Sequence, residues 1–226
     1  MMKPRKIGAF NNKGGVGKST FIINLAYSLQ KAGQHVLVVD GDTQENCFSF
    51  FLTSRVPETI LPTAYERISL TTWERYQTIP EPVRQAYDTI LFDLPPTLSE
   101  TVREILHECS TVYVPVILGE FEIAGLKRVT DEIHRQGVKL GGIFVTMYQP
   151  RNDAALMADF RAALQERLMQ TVIPYSNSVR ESQKAGLPIE AYFIDRAVPH
   201  SKTAWKIVDA YNSLANEIIG GVHQNV

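Results

Sequence analysis

Apolar positions along the chain fall into two alternating rhythms. Short apolar runs occur at Ile7, Ala9 and Phe10, at Val36 to Val39, at Ile90 to Phe92, at Thr111 to Val116 and at Leu140 to Thr146. Runs this short, rich in β-branched residues and closed by turn formers, predict strands buried on both faces of a parallel sheet. Between them the spacing becomes helical. Phe21, Ile22, Leu25, Ala26 and Leu29 share a face up to a stop at Gly33, and Leu98, Val102, Ile105 and Leu106 repeat the pattern. Helices are also predicted over Glu120 to Gln136, Asp153 to Leu168 and Ser201 to Ile219, and the stretch Ser176 to Gly186 precedes the last of them. Strands alternating with helices imply right-handed crossovers, hence an α/β fold with a doubly wound, mostly parallel sheet and helices on both faces. Residues 53–82 break the rhythm with Pro57, Pro62, Pro80 and Pro82, while Tyr65, Trp73 and Tyr76 follow no clean period. Short surface helices and loops are expected there, with the aromatics packed onto the domain.

Composition narrows the class. The 226 residues suit one domain over 1–226, and 44% hydrophobic with 21% charged residues is ordinary for a soluble globular protein. No apolar run approaches the ~20 residues of a membrane span. Too few apolar residues follow the basic N-terminus for a signal peptide, so a cytoplasmic protein is expected. A net charge of −1 predicts no whole-molecule attraction to nucleic acid. Cys47 and Cys109 are isolated and read as reduced structural thiols, and the histidines share no metal-ligand spacing.

The candidate chemistry begins between the first strand and first helix. Asn11-Asn12-Lys13-Gly14-Gly15-Val16-Gly17-Lys18-Ser19-Thr20 is a glycine-rich, doubly basic loop. Such a loop turns backbone N–H groups toward an anion at a helix N-terminus, and its glycines let the main chain approach phosphate oxygens. Lys18 would reach the β/γ-phosphates, Ser19 would hold magnesium, and Thr20 could donate to the α-phosphate. The alternative is a glycine-rich turn carrying two solvated lysines. The general pattern places glycine where Asn12 stands; here Lys13-Gly14-Gly15 opens the loop instead. Further along, Asp40-Gly41-Asp42-Thr43-Gln44 closes the second strand, where α/β sheets bind ligands. Tyr87-Asp88 through Asp93-Leu94-Pro95-Pro96 places a carboxylate at another strand end, the Walker-B arrangement.

Together these motifs resemble the ParA/MinD family of deviant Walker-A ATPases. The family writes Asp-x-Asp-Pro-Gln at the second motif, and this chain carries Thr43 in place of proline; the Tyr-Asp to Pro-Pro string is complete. The resemblance implies ATP and Mg2+ as cofactors, with Asn12 through Thr20 cradling the phosphates. It implies Asp42 as the residue orienting the attacking water, and Ser19, Asp40 and Asp93 around the metal. Lys13 would cross a dimer interface to the partner's nucleotide and so join Lys18 and Asp42 as a catalytic residue. Thr146-Met147-Tyr148 and Thr171 to Pro174 match two family loops, and Thr146, Met147 and Pro174 would then flank the adenine. A GTPase would show Asn-Lys-x-Asp after the fifth strand, and none occurs.

The implied activity is an ATP-dependent dimerising switch that binds DNA non-specifically and works with a ParB-like or other cargo-adaptor protein. Nucleoid association would follow from DNA binding. Candidate DNA contacts are Arg180, Lys184, Lys202 and Lys206, although nearby acids leave the region almost neutral. No helix-turn-helix precedes the loop, so operator-specific repression is not expected. The tail from Gly220 to Val226 lacks the basic and bulky apolar faces of a membrane-targeting helix. Two alternatives stand beside this reading: a metabolic or metal-centre enzyme on the same fold, and a membrane-surface positioning ATPase.

Overall fold

A computed structural model of the chain describes residues 3–42, 46–51, 58–120 and 122–220. Thr43, Gln44 and the tail beyond Gly220, to which the sequence assigned roles, lie outside the described residues. The strands are β1 (Arg5–Ala9), β2 (Val36–Asp40), β3 (Leu61–Pro62), β4 (Ile68–Thr72), β5 (Thr89–Asp93), β6 (Thr111–Val116) and β7 (Lys139–Val145). The helices are α1 (Lys18–Lys31), α2 (Asn46–Phe51), α3 (Trp73–Thr78), α4 (Glu81–Arg84), α5 (Glu100–Glu108), α6 (Glu122–Arg135), α7 (Pro150–Leu164), α8 (Asn177–Ala185), α9 (Ile189–Asp195) and α10 (Lys206–Gly220). The strands form one sheet in the order β3-β4-β2-β5-β1-β6-β7. Every pairing is parallel except that of the short edge strand β3 with β4.

Period-two alternation along the buried strands feeds two cores. Val36 and Val38 face a layer formed largely by α1 and α10, through Phe21, Leu25, Val208 and Leu214. Leu37 and Val39 face the opposite layer with Val102 and Ile105 of α5, Val129 of α6 and Phe160 of α7. Continuous apolar runs follow from this, because neither face of a central strand meets water.

The expectation for residues 53–82 needs correction. Ile68–Thr72 is an internal strand running parallel to β2, not a surface loop. Its Thr71 is buried because the hydroxyl donates to the Thr59 carbonyl at 2.7 Å, which removes the cost of burying it. Trp73 and Tyr76 do pack onto the domain, stacked at 5.7 Å beside Phe92. Helix boundaries also differ. α7 starts at Pro150, earlier than Asp153, because the Asp153 carboxylate accepts the Gln149 N–H at 2.7 Å and proline suits a first turn. α10 starts at Lys206, because residues 202–205 form turns in which Trp205 donates to the Val198 carbonyl at 3.2 Å.

Candidate nucleotide-binding site

β1, β2 and β5 all end on one side of the sheet, and the register sets Asp40 opposite Asp93. Helices leave the sheet on either side of this point, so a crevice opens at the carboxyl ends of the strands. Asn11 anchors the loop that follows β1. Its amide donates to the Pro115 carbonyl at 2.8 Å, and its carbonyl accepts the Lys13 N–H at 3.0 Å. Gly15 and Gly17 have φ of 74° and 92°, a region where any side chain would be strained. Gly17 caps α1 without a side-chain partner, so the first-turn N–H groups of that helix remain available to an anion.

The resulting cavity, about 650 Å3, is lined by Gly14, Gly17, Lys18, Ser19, Thr20 and Asp42 among others. Lys18 is 7% exposed, and its ammonium donates to the Lys13 carbonyl at 2.9 Å. Burial pulls the Lys18 pKa down, and the charges of Asp93 and Asp42 resist that pull. Asn12 and Lys13 are exposed. The Lys13 side chain lies back along its own chain, ion-paired with Glu122 at the start of α6.

The acids have separate jobs. Asp40 organises its own loop, accepting the Asp42 N–H at 3.1 Å and the Cys47 N–H at 2.9 Å. Gly41 ties that loop to β5 through its N–H to the Asp93 carbonyl at 2.9 Å. Asp93 is 1% exposed; one oxygen accepts the Cys47 thiol at 3.4 Å, and the Ser19 side chain lies beside the carboxylate. The other oxygen, Oδ1, has no partner among the described residues. Burial outweighs the influence of these neighbours and pushes Asp93 up to about 6. A buried carboxylate oxygen without a donor, beside a serine hydroxyl and a phosphate loop, matches the hard oxygen set that Mg2+ takes together with substrate phosphates.

The second cavity, about 220 Å3, adjoins Gly17 and Thr20 and is lined by Thr146, Met147, Pro174, Arg180 and Gln183 among others. The two loops expected to flank a base do meet here: Tyr148 N–H donates to the Ile173 carbonyl and Tyr175 N–H to the Tyr148 carbonyl, each at 3.0 Å. The Thr146 hydroxyl is already used, donating to the Val16 carbonyl at 2.9 Å and the Val116 carbonyl at 3.2 Å. It braces the phosphate loop. Met147 takes a left-handed φ of 56° and lines both cavities.

The four basic candidates are all exposed but differ in setting. Arg180 and Lys184 sit on α8, and Arg180 lines the second cavity. Lys206 opens α10 and lines a neighbouring groove with Arg151, while Lys202 lies in the turn before it. Sequence reasoning missed Asn11, Cys47, Glu122 and Gln183, whose amide donates to the Thr20 hydroxyl oxygen at 2.7 Å. That bond leaves the Thr20 hydroxyl proton to point elsewhere.

Comparisons with known proteins agree with this geometry. Residues 7–189 match the CobQ/CobB/MinD/ParA nucleotide binding domain. The chain is 32% identical to the chromosome-partitioning ATPase Soj of Thermus thermophilus, covering 98% of each, and 27% identical to the chromosome partitioning protein ParA of Caulobacter vibrioides, covering 95% and 94%. Among solved structures, septum site-determining protein MinD from Pyrococcus horikoshii with Mg-ADP superposes with a TM-score of 0.75 at 20% identity, covering 99% of this chain and all of that one. The MinD cell division protein of Aquifex aeolicus gives a TM-score of 0.75 at 19% identity, covering 96% and 97%. With its phosphate loop, its strand-end acids and a family match over most of its length, the chain belongs to the CobQ/CobB/MinD/ParA family of nucleotide-binding domains.

Proposed function

We propose that this protein is a Mg-dependent ATPase that works as a dimerising switch, binding DNA without sequence preference in its ATP state to position a cargo. The observation that carries this reading is the convergence of Lys18, Ser19, Asp42 and Asp93 on one crevice beneath the Lys13-Gly14-Gly15 turn. Relatives named as chromosome-partitioning ATPases support the choice of reaction and role. Ser19 and Asp93 would hold Mg2+, which would supply charge neutralisation at the β- and γ-phosphates. Lys18 and the N–H groups of the loop and α1 hold the phosphates. Thr20, with Gln183 fixing its oxygen, directs its proton toward the α-phosphate. Asp42 orients water at the γ-phosphate, and catalysis is mainly positioning and electrostatic stabilisation.

Lys13 is the residue that makes ATP part of an interface. Its pair with Glu122 is about half exposed on the lysine side, so it contributes little stability and exchanges readily. In the dimer Lys13 leaves Glu122 for the phosphates held by the partner subunit, neutralising charge that would otherwise separate two loaded faces. Arg180, Lys184, Lys202 and Lys206, doubled by dimerisation, then meet DNA phosphates. Hydrolysis, stimulated by an adaptor protein of the ParB-like kind, ends the DNA-bound state. This assigns the protein to the cytoplasm, with nucleoid association while ATP is bound; among the described residues no helix is long and apolar enough to cross a membrane. Retention on double-stranded DNA with and without ATP tests the proposal. Retention that requires ATP, weakens steeply with salt and disappears in Lys18→Ala is expected; ATP-independent or absent retention would refute the DNA role.

A further inference from the structure

Cys47 lies on α2 with its side chain fully buried. Its polar contacts are specific. The N–H donates to one Asp40 oxygen at 2.9 Å, and the thiol donates to Asp93 Oδ2 at 3.4 Å. One residue therefore joins the loop after β2 to the carboxylate at the end of β5. The thiol occupies Oδ2, while Oδ1 of the same carboxylate is buried and without a partner among the described residues. A carboxylate held by one oxygen cannot rotate freely about its terminal torsion, and its free oxygen keeps one direction.

We propose that Cys47 is a positioning residue for the magnesium site: its thiol grips Asp93 Oδ2 so that Oδ1 stays aimed at the metal beside Ser19. This rests on the reading of Asp93 as a metal-shell carboxylate. The thiol does not itself ligate, because Mg2+ takes hard oxygen donors and not a soft sulfur. Asp40 takes part at one remove by holding the α2 backbone from which the thiol projects.

The test is the Mg2+ dependence of binding by a fluorescent ATP analogue, titrated in the intact wild-type chain, Cys47→Ala and Cys47→Ser. Alanine removes the donor, and serine restores one of similar size. Analogue affinity in the presence of EDTA should be unchanged in all three, which reports an intact phosphate loop. Cys47→Ala is expected to raise the half-saturating Mg2+ concentration about three- to tenfold, and Cys47→Ser to stay within about twofold of wild type. Equal shifts in both variants, or no shift in either, would overturn the positioning role. A wild-type curve with no Mg2+ dependence would overturn the metal assignment of Asp93 and this inference with it.

Discussion

Gly41 stands between Asp40 and Asp42 and faces the end of β5 at a distance that leaves no room for a side chain. An alanine there would place its Cβ 3.0 Å from the Asp93 carbonyl oxygen and 2.6 Å from Ile105 Cδ1, where ordinary contacts begin at 3.4 Å. Ile105 is fully buried in α5, so it cannot swing clear. Relief requires the loop to withdraw about 0.4 Å from the β5 backbone and about 0.8 Å from Ile105, which stretches the Gly41 N–H bond to Asp93. Overpacking of this kind costs about 1–3 kcal/mol. Asp42 moves with the loop, and a displacement approaching 1 Å at the carboxylate proposed to orient water should lower turnover about tenfold or more. The phosphate loop belongs to β1 and α1 and is not displaced, so ATP affinity should stay within about threefold. Urea denaturation, ATP titration calorimetry and phosphate release at saturating ATP separate these effects. Wild-type stability together with wild-type turnover in Gly41→Ala would refute the reasoning.

Burial lifts Asp93 from an ordinary 3.8 to about 6, so its ionisation opposes folding. That cost is absent below the unfolded value, grows between the two, and is fully present above about pH 6. Nucleotide-free Asp93→Asn should therefore be about 1–3 kcal/mol more stable than wild type at about pH 8 and gain less at about pH 5, by urea denaturation in EDTA; no gain at the higher pH would contradict this. Thr146→Val keeps the shape of a buried side chain but strands the Val16 carbonyl, since Val116 retains the Thr146 N–H at 2.8 Å. A loss of about 1–3 kcal/mol in denaturation and weaker ATP binding are expected, and unchanged ATP affinity would remove Thr146 as a brace of the loop.

The legible parts of the fold were those where burial on both faces wrote itself as continuous apolar runs, as in β2, β5 and β6. β4 escaped because it alternates Ile68 and Leu70 with Ser69 and Thr71, and Thr71 is buried only by virtue of a hydrogen bond that hydrophobicity does not record. In the site, the phosphate loop and the strand-end acids were readable because one backbone turn and one strand end each place their own chemistry. Residues that act through distant partners were not. Gln183 is 163 positions from Thr20, and Glu122 is 109 from Lys13, so neither pairing leaves a local pattern. Asn11 was visible in the loop, but its bond to the Pro115 carbonyl depends on β6 lying beside β1. Cys47 read as a bland thiol for the same reason: its partner Asp93 stands at the end of β5, 46 positions further along the chain.

In the proposed switch ATP is part of a dimer interface, with Lys13 as the residue that crosses it. Sedimentation velocity of Asp42→Ala with ATP, which should hold the unhydrolysed state, against Asp42→Ala combined with Lys13→Ala tests this most directly. An ATP-dependent dimer is expected in the first and a monomer that still binds ATP in the second. Equal dimer fractions in the two would contradict it.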